Sequence, residues 1–536
     1  MSIPALSVDN TRDPSFTFQY RSVPQTEAAL ANNGILPFPL GRVMGGSSSI
    51  NTMVVNRGSP HDFDNWARLT GDLSWSYSNL LQYFKKWENY AGEFPSDQHG
   101  YGGPITVSRQ DYAPGKDTWL NAGRELGYQV ADANGPQIIS FAPLEYTRRF
   151  GRRMNSFEGY IQPIMGRRRN LKIITNVSAT RLIFDGNKAV AVEYIEGNGT
   201  TTENTTPMLA FSRKEIISSA GAYGSPSLLL RSGIGPIDTL QQAGIPQRYN
   251  LPVGIGLQNH PIVPLQIIIN DTSVTTNYSL ELTPQNLQRF YQFGEGPFTL
   301  TAGLSGQAFD ASQIAKADGR AEWPDMQFST GSTSVVLSDM LHSTRGQPTL
   351  SIYSYLVRPK SRGTVRIRSS NVFDMPSIDF RYLTHEDDKK VMLEAVKFSL
   401  RIVETTDSYR RVGAHLSSKP LATCAHLPFR SDEYWYCYIG QTTASTNHPV
   451  STCRMGRGSD DPDAVVDSQL RLIGHEGIRV VDSSIMPVIP NANTQAPTYA
   501  IAEKVSELIV KTWENFGREK SGSGGKGYRR MRGMHG

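Results

Sequence analysis

Cysteine is scarce in this sequence, with three residues in 536: Cys424, Cys437 and Cys453. They are too few and too scattered for a disulfide scaffold or a zinc site, so no metal is expected. One pair could form, and the sequence leaves open which. Long apolar runs are also missing. No window approaches the roughly 18 consecutive apolar residues that a membrane span requires. The best short run, Leu265 to Ile269, reads as a buried strand. The opening Met1-Ser-Ile-Pro-Ala-Leu turns polar at once, unlike a basic-then-apolar signal peptide. Charge of one sign is absent from the body of the chain. The formal net charge is +5, and Arg518 to Gly536 alone holds six basic residues against one acid. The remainder is neutral and gives nucleic acid no electrostatic footprint. The basic end reads as a solvated, disordered tail over 517–536.

What is present is an ordinary globular composition. Hydrophobic residues make up 38% of the chain and there are 48 glycines, which excludes a largely disordered polymer. The length suits three or four domain-sized units at about 150 residues each. Five Asn-X-Ser/Thr sequons, at Asn176, Asn198, Asn204, Asn270 and Asn277, count toward a secretory route for a longer parent. Localisation is otherwise left open.

Strand and helix signals alternate. Residues 170–195 predict strands at Leu171-Lys-Ile-Ile-Thr, Thr180-Arg-Leu-Ile-Phe and Ala189-Val-Ala-Val-Glu-Tyr-Ile, with a turn at Asp185-Gly-Asn. Lys214-Glu-Ile-Ile-Ser-Ser-Ala is a compact strand running into a small-residue turn, with a helix expected from Ser227. Gly477-Ile-Arg-Val-Val-Asp482 is a strand ending in an acid. A last helix is expected from about Thr498 to Trp513, with Ile501, Val505, Leu508 and Ile509 on one face. Strands feeding helices through Gly- and Ser-rich turns imply an α/β layer. Residues 263–440 differ: alternating strands such as Thr349-Leu-Ser-Ile-Tyr-Ser-Tyr-Leu and Gly363-Thr-Val-Arg-Ile-Arg predict a second domain with a large sheet.

Two stretches carry chemistry. The first is Gly41-Arg-Val-Met-Gly-Gly-Ser-Ser-Ser-Ile-Asn-Thr-Met, continuing to Asn56-Arg-Gly and Asp62-Phe-Asp-Asn-Trp66. Gly45-Gly46 before three serines offers backbone N–H groups and hydroxyls for close approach to a phosphate or ribityl chain. Composition alone makes it a flexible loop. The second is Gly221-Ala-Tyr-Gly-Ser-Pro-Ser-Leu-Leu-Leu-Arg-Ser-Gly-Ile-Gly235. By itself it reads as a tight strand-to-helix junction.

Together the two stretches resemble the signatures of the glucose-methanol-choline oxidoreductases, a family of FAD-dependent alcohol oxidases and dehydrogenases. The first departs at Met44 and Val55, apolar for apolar. Further similar motifs follow in order: Leu257-Gln-Asn-His260, with Asn259 for the usual Asp; Pro359-Lys-Ser-Arg-Gly-Thr-Val; Asn447-His-Pro-Val-Ser-Thr-Cys-Arg-Met-Gly456, with Ser451 for Gly; and Gly477 to Pro487, then Asn493-Thr-Gln-Ala-Pro. The resemblance spans about residues 3 to 510 and is nearest to the animal, glucose-dehydrogenase-like branch. It implies an α/β (α+β) fold: a Rossmann-like FAD-binding domain and a substrate-binding domain on a large antiparallel sheet. The implied division is 1–262 mostly FAD-binding, 263–440 substrate-binding, and 441–516 returning to the FAD domain with the catalytic residues.

The resemblance also implies roles. His448 becomes the base that takes the hydroxyl proton, with Asn493 as a neutral partner orienting the oxygen. His260, close by motif, is assigned to a structural loop, and Cys453 to buried packing. Val43, Gly45, Gly46, Asn51, Thr52, Met53 and Val54 would line flavin and ribityl. Ala179 stands where a backbone meets adenine. Asp482 and Ser483 would meet the ribityl–phosphate region, and Thr494 and Gln495 the flavin carbonyl edge. The substrate would be a small alcohol or sugar; the electron acceptor is left open.

The family's opening βαβ unit has no counterpart here. No Gly-x-Gly-x-x-Gly follows a strand, and the one literal match, over 522–527, sits in the tail as a linker. The expected function is an FAD-dependent CH–OH oxidoreductase. The alternatives are a truncated, inactive member that holds FAD poorly and a non-redox flavoprotein lyase or cyclase.

Overall fold

The computed structural model describes residues 2–197, 206–333 and 347–523. Asn198 and Asn204, and residues 524–536 of the expected tail, lie outside these. Helix α1 (Pro60–Thr70) shows how local sequence fixes an element. Pro60 opens its first turn, Ser59 and Asp62 form a reciprocal cap, and Gly71 follows at φ +68°. Its Phe63, Trp66 and Ala67 are buried.

Strand β1 (Ser140–Pro143) is followed by an antiparallel ribbon of β2 (Val177–Asp185), β3 (Lys188–Glu196) and β4 (Met208–Phe211), in the order β4-β3-β2. The strand expected over 171–175 does not form. Its apolar pattern favours extension locally, but those residues are exposed, and among the described residues none pairs with them in a ladder. Cross-strand pairs are what stabilise a strand. Next, β5 (Ile216–Ser218) runs into helix α2 (Gly221–Arg231), which begins well before the expected Ser227. Pro226 lies inside α2 and has no N–H for the Ala222 carbonyl; the Thr452 hydroxyl donates to that carbonyl at 2.7 Å instead.

A seven-stranded antiparallel sheet dominates the middle of the chain. Its strands include β6 (Pro261–Ile268), β7 (Leu304–Asp310), β8 (Met326–Gly331), β9 (Thr349–Leu356) and β10 (His415–Leu416), in the order β10-β6-β9-β8-β7-β1, with Ala444–Ser445 paired to the start of β6. The sheet expected over 263–440 therefore also recruits β1 from far upstream and Ala444–Ser445 from just downstream. Helix α3 (Glu386–Thr405) presents Val391, Ala395, Val396 and Ile402 to the buried side. A disulfide joins Cys424 to Cys437 and ties helix α4 (Asp432–Thr442) to the turn before it; Cys453 is free and buried.

The chain then returns to the first half. Strand β11 (Ile478–Val480) pairs with β5 in parallel, and helix α5 (Gln495–Ser523) starts before Thr498 and runs past Trp513. Two apolar cores result. One packs Leu265, Phe328, Ile352, Val396 and Trp435 against the large sheet. The other gathers Trp66, Trp75, Leu229, Val480 and Ala500 around α1, α2, β11 and α5. Each such side chain contributes about 1.5–3 kcal/mol on full burial.

Candidate active site

The site lies where loops from both cores meet. His448 and Asn493, 45 positions apart, are brought together: the Asn493 amide nitrogen lies 3.1 Å from His448 Nε2. On its other side, His448 Nδ1 lies 3.1 Å from Nδ1 of His260, the rings edge to face. His260 Nε2 in turn lies 3.1 Å from the carbonyl oxygen of Val357. The Asn493 side-chain oxygen accepts from Asn56 Nδ2 at 2.8 Å.

With the Val357 carbonyl as the acceptor of His260 Nε2–H, one assignment of hydrogens satisfies this chain; the Pro490 carbonyl also faces His260. Val357 O can only accept, so His260 carries its proton on Nε2 and offers the Nδ1 lone pair. His448 Nδ1 must then donate, which leaves His448 Nε2 as the free acceptor. Asn493 turns its NH₂ toward that nitrogen and its oxygen toward Asn56. The buried Asn56 Oδ1 is left without a protein partner.

Burial sets the charge state. Desolvation lowers the pKa of His448 to about 4, and desolvation followed by the neighbouring His448 pushes that of His260 well down. Both rings are neutral at physiological pH. Asn259 positions both residues through its side-chain oxygen, which accepts the backbone N–H groups of His448 and His260 at 2.8 and 2.9 Å. His260, expected as a structural loop residue, is thus a direct partner of His448. A single imidazole in a polar loop has no periodicity to betray it; the one signal was its place beside Asn259 in the Gln-Asn-His stretch.

The first glycine-rich stretch lies nearby in the first half. Gly45 and Gly46 have φ of +89° and +55°. A Cβ on Gly45 would strike Ser49 Oγ at 2.4 Å, whereas one on Gly46 would meet nothing within 4 Å. Asn51 donates its amide to Gln495 Oε1 and accepts from Met53 N–H at 3.1 Å and from Arg153 at 2.7 Å. Met53 itself is held at φ +62°, and Val54 bridges to Tyr146. Val43, Gly45, Gly46, Asn51, Thr52, His448, Asn493, Thr494 and Gln495 all keep partial exposure, whereas Met53 to Ser59 and Ile489 to Ala492 behind them are buried.

Asp482 and Ser483 stand at the end of β11, beside the start of α2. Asp482 accepts from Gly221 N–H at 2.9 Å, Ser225 Oγ at 2.6 Å and Ser484 N–H at 2.8 Å. Ser483 Oγ donates to Pro449 O at 3.0 Å, next to His448. Ala179 is not brought to this cluster: it lies exposed on β2, whose neighbouring Thr180 carbonyl is held by Arg231 of α2.

Models of the GMC oxidoreductase match residues 20–262 and 359–502. A Drosophila melanogaster protein, "Glucose dehydrogenase [FAD, quinone]", is 33% identical over 514 residues, covering 92% of this chain and 78% of that one. The chain belongs to the GMC oxidoreductase family. Another relative of this GMC oxidoreductase, the mouse protein "Choline dehydrogenase, mitochondrial", is 32% identical over 511 residues, covering 95% of this chain and 81% of that one. Among solved structures, a pyridoxine 4-oxidase from Mesorbium loti aligns with a TM-score of 0.79 at 26% identity, over 95% of this chain and 91% of the other. A formate oxidase from Aspergillus oryzae RIB40 reaches 0.83 at 22% identity, over 96% and 91%, and speaks for the fold alone. The mixed α/β architecture, with one half built on the large antiparallel sheet, is that of the family. Among the described residues no helix is long and apolar enough to cross a membrane.

Proposed function

We propose that this chain is an FAD-dependent oxidoreductase acting on CH–OH groups of a small alcohol or sugar, with His448 as the base. The observation that carries the proposal is the 3.1 Å approach of His448 Nε2 to the Asn493 amide nitrogen, with Nε2 assigned as the acceptor by the hydrogen-bond chain behind it. A hydroxyl entering between them would donate its proton to His448 Nε2 while its oxygen accepts from Asn493 Nδ2.

The residues present fit the flavin end of FAD. Gly46 combines positive φ with open space on its Cβ side, so the backbone there accepts a flat ring or ribityl chain at close approach. Val43, Gly45, Asn51, Thr52, Met53, Val54, Thr494 and Gln495 would hold that end. Asp482 and Ser483 would support the ribityl–phosphate region through the α2 junction, and the backbone at Ala179 would serve adenine. FAD, when bound, supplies the acceptor for the hydride from the carbinol carbon.

The protein's own part is proton handling. A neutral imidazole is the form that can accept a proton, and burial keeps it neutral. Its low basicity confines the transfer to the moment when the C–H electron pair departs and the hydroxyl becomes strongly acidic. The proton then rests on His448 Nε2. His260, through its Nδ1 lone pair, holds the ring through both states, and Asn493 steadies the oxygen as it becomes a carbonyl. The experiment is substrate-driven bleaching of bound flavin across sugars, choline and simple primary alcohols. His448→Ala is expected to slow bleaching by about 10²- to 10⁴-fold with flavin content unchanged; unchanged bleaching refutes the role of His448.

A further inference from the structure

Behind the base, one buried carboxylate grips both sides of the site. Asp62, 2% exposed, lies in the first turn of α1. Its Oδ2 accepts from Ser59 N–H at 2.8 Å, closing the helix cap, and from Asn491 N–H at 2.8 Å. Its Oδ1 accepts from the Trp323 indole N–H at 2.8 Å. Asn491 stands two residues before Asn493. Trp323 lies under the Arg358 guanidinium, 4.4 Å from the ring centroid, and Arg358 donates to the Trp323 carbonyl at 2.8 Å. Arg358 directly follows Val357, whose carbonyl sets the proton on His260. Asn491 reinforces the link by donating its side-chain amide to Pro324 O.

A helix cap needs only the Ser59 contact. The other two bonds reach toward the near and far ends of the Asn56–Asn493–His448–His260–Val357 chain, and all three donors are N–H groups, which a carboxylate with two acceptor oxygens serves together. Resting on the function proposed above, we propose that Asp62 is a positioning residue for the proton-transfer pair: it clamps the 487–493 loop to the Trp323–Arg358 segment and so fixes the separation of Asn493 and His448. An asparagine there must turn an NH₂ against at least one N–H, and with that arm gone neither segment is held against the other.

The test uses the full chain with FAD bound. Asp62→Asn is expected to lower kcat per bound flavin by about 10- to 100-fold, the loss that misplacement of about 1 Å produces. KM should change less than about threefold. Trp323→Phe, which removes a single bond, should give a smaller fall of the same kind and serves if Asp62→Asn does not fold. Asp388→Asn is the control. This buried carboxylate holds the N–H groups of Lys360 and Ser361, so its loss should lower the unfolding midpoint and leave kcat per flavin unchanged. Hydrogen exchange supplies a readout independent of turnover: Asp62→Asn should accelerate exchange over 487–493 and 321–327 together. A wild-type kcat per flavin in Asp62→Asn, or loosening confined to the start of α1, overturns the clamp. Failure of every alcohol to bleach the wild-type flavin would instead remove the function proposed above; joint loosening of the two segments would then still support the clamp, and loosening of one alone would overturn it.

Discussion

Two kinds of strand coexist in this chain. In the large sheet, β9 is paired on both sides, with β6 and β8, and seven of its eight residues are buried. In the other half, β4 pairs with β3 alone among the described residues and exposes most of its length; Phe211 is 73% exposed. The parallel pair β5 and β11 forms a two-stranded sheet among the described residues, bridged at Arg479 to Arg471, with Ile217 39% exposed. Every residue of β4, Met-Leu-Ala-Phe, is apolar, whereas β9 carries Thr and Ser, so apolarity does not make the difference. Burial requires a ladder on each edge and a packed layer on each face. The first region has both. The second keeps its apolar core around α1, α2 and α5, and leaves its strand edges open.

The contrast can be tested from its strongest side first. Phe328, fully buried in the large sheet, should cost about 3–5 kcal/mol on replacement by Ala; chemical denaturation checks this, and a loss below 1 kcal/mol would mean that the sheet's core is loosely packed. Next, the Cys424–Cys437 disulfide closes a short loop with sequence separation 13 in the same region. Its removal by paired Ser substitution should destabilise by about 3 kcal/mol, read by chemical denaturation of the variant against the wild type without reductant.

A smaller effect concerns the seam between the regions. The pKa of His448 is about 4 when folded and near 6.5 when unfolded. The unfolded chain therefore binds more protons between those values, and stability contributed by the neutral ring is complete above about 6.5 and falls as pH drops toward 4. Asp62, pushed up to about 6 by burial against the pull of its Asn491, Trp323 and Ser59 donors, gives the opposite slope over part of that window. The His448 share is thus the wild-type slope minus that of His448→Ala, measured by denaturation between pH 4.5 and 7. A difference of the opposite sign would show that the ring is charged when folded. Last and smallest, Ile217→Thr at the open edge should change stability by no more than about 0.5 kcal/mol, and a loss beyond 2 kcal/mol would show that the edge is covered in solution.

How much was legible follows the same physics. The 349–356 strand was read to the residue because its alternation and its pairing agree. The 171–175 strand was predicted on similar local grounds and is absent: those residues are exposed, and among the described residues none pairs with them. His448 and Asn493 were legible through long ordered motifs, and the fold brings them into contact. His260 and Asp62 were not, since a hydrogen bond across 188 or 429 positions leaves no trace in local spacing. Asp62 stands in the sequence as the first acid of Asp62-Phe-Asp-Asn-Trp66, a stretch that marks the family and assigns the acid no role.

The proline within α2 has a consequence for the base loop. By withholding one N–H it leaves the Ala222 carbonyl for Thr452, four residues after His448. Exchange of Pro226 for alanine would let the helix reclaim its own bond, and Thr452 would then share that carbonyl rather than hold it alone. The loop carrying the imidazole is thus moored to an acceptor that the helix itself gives up.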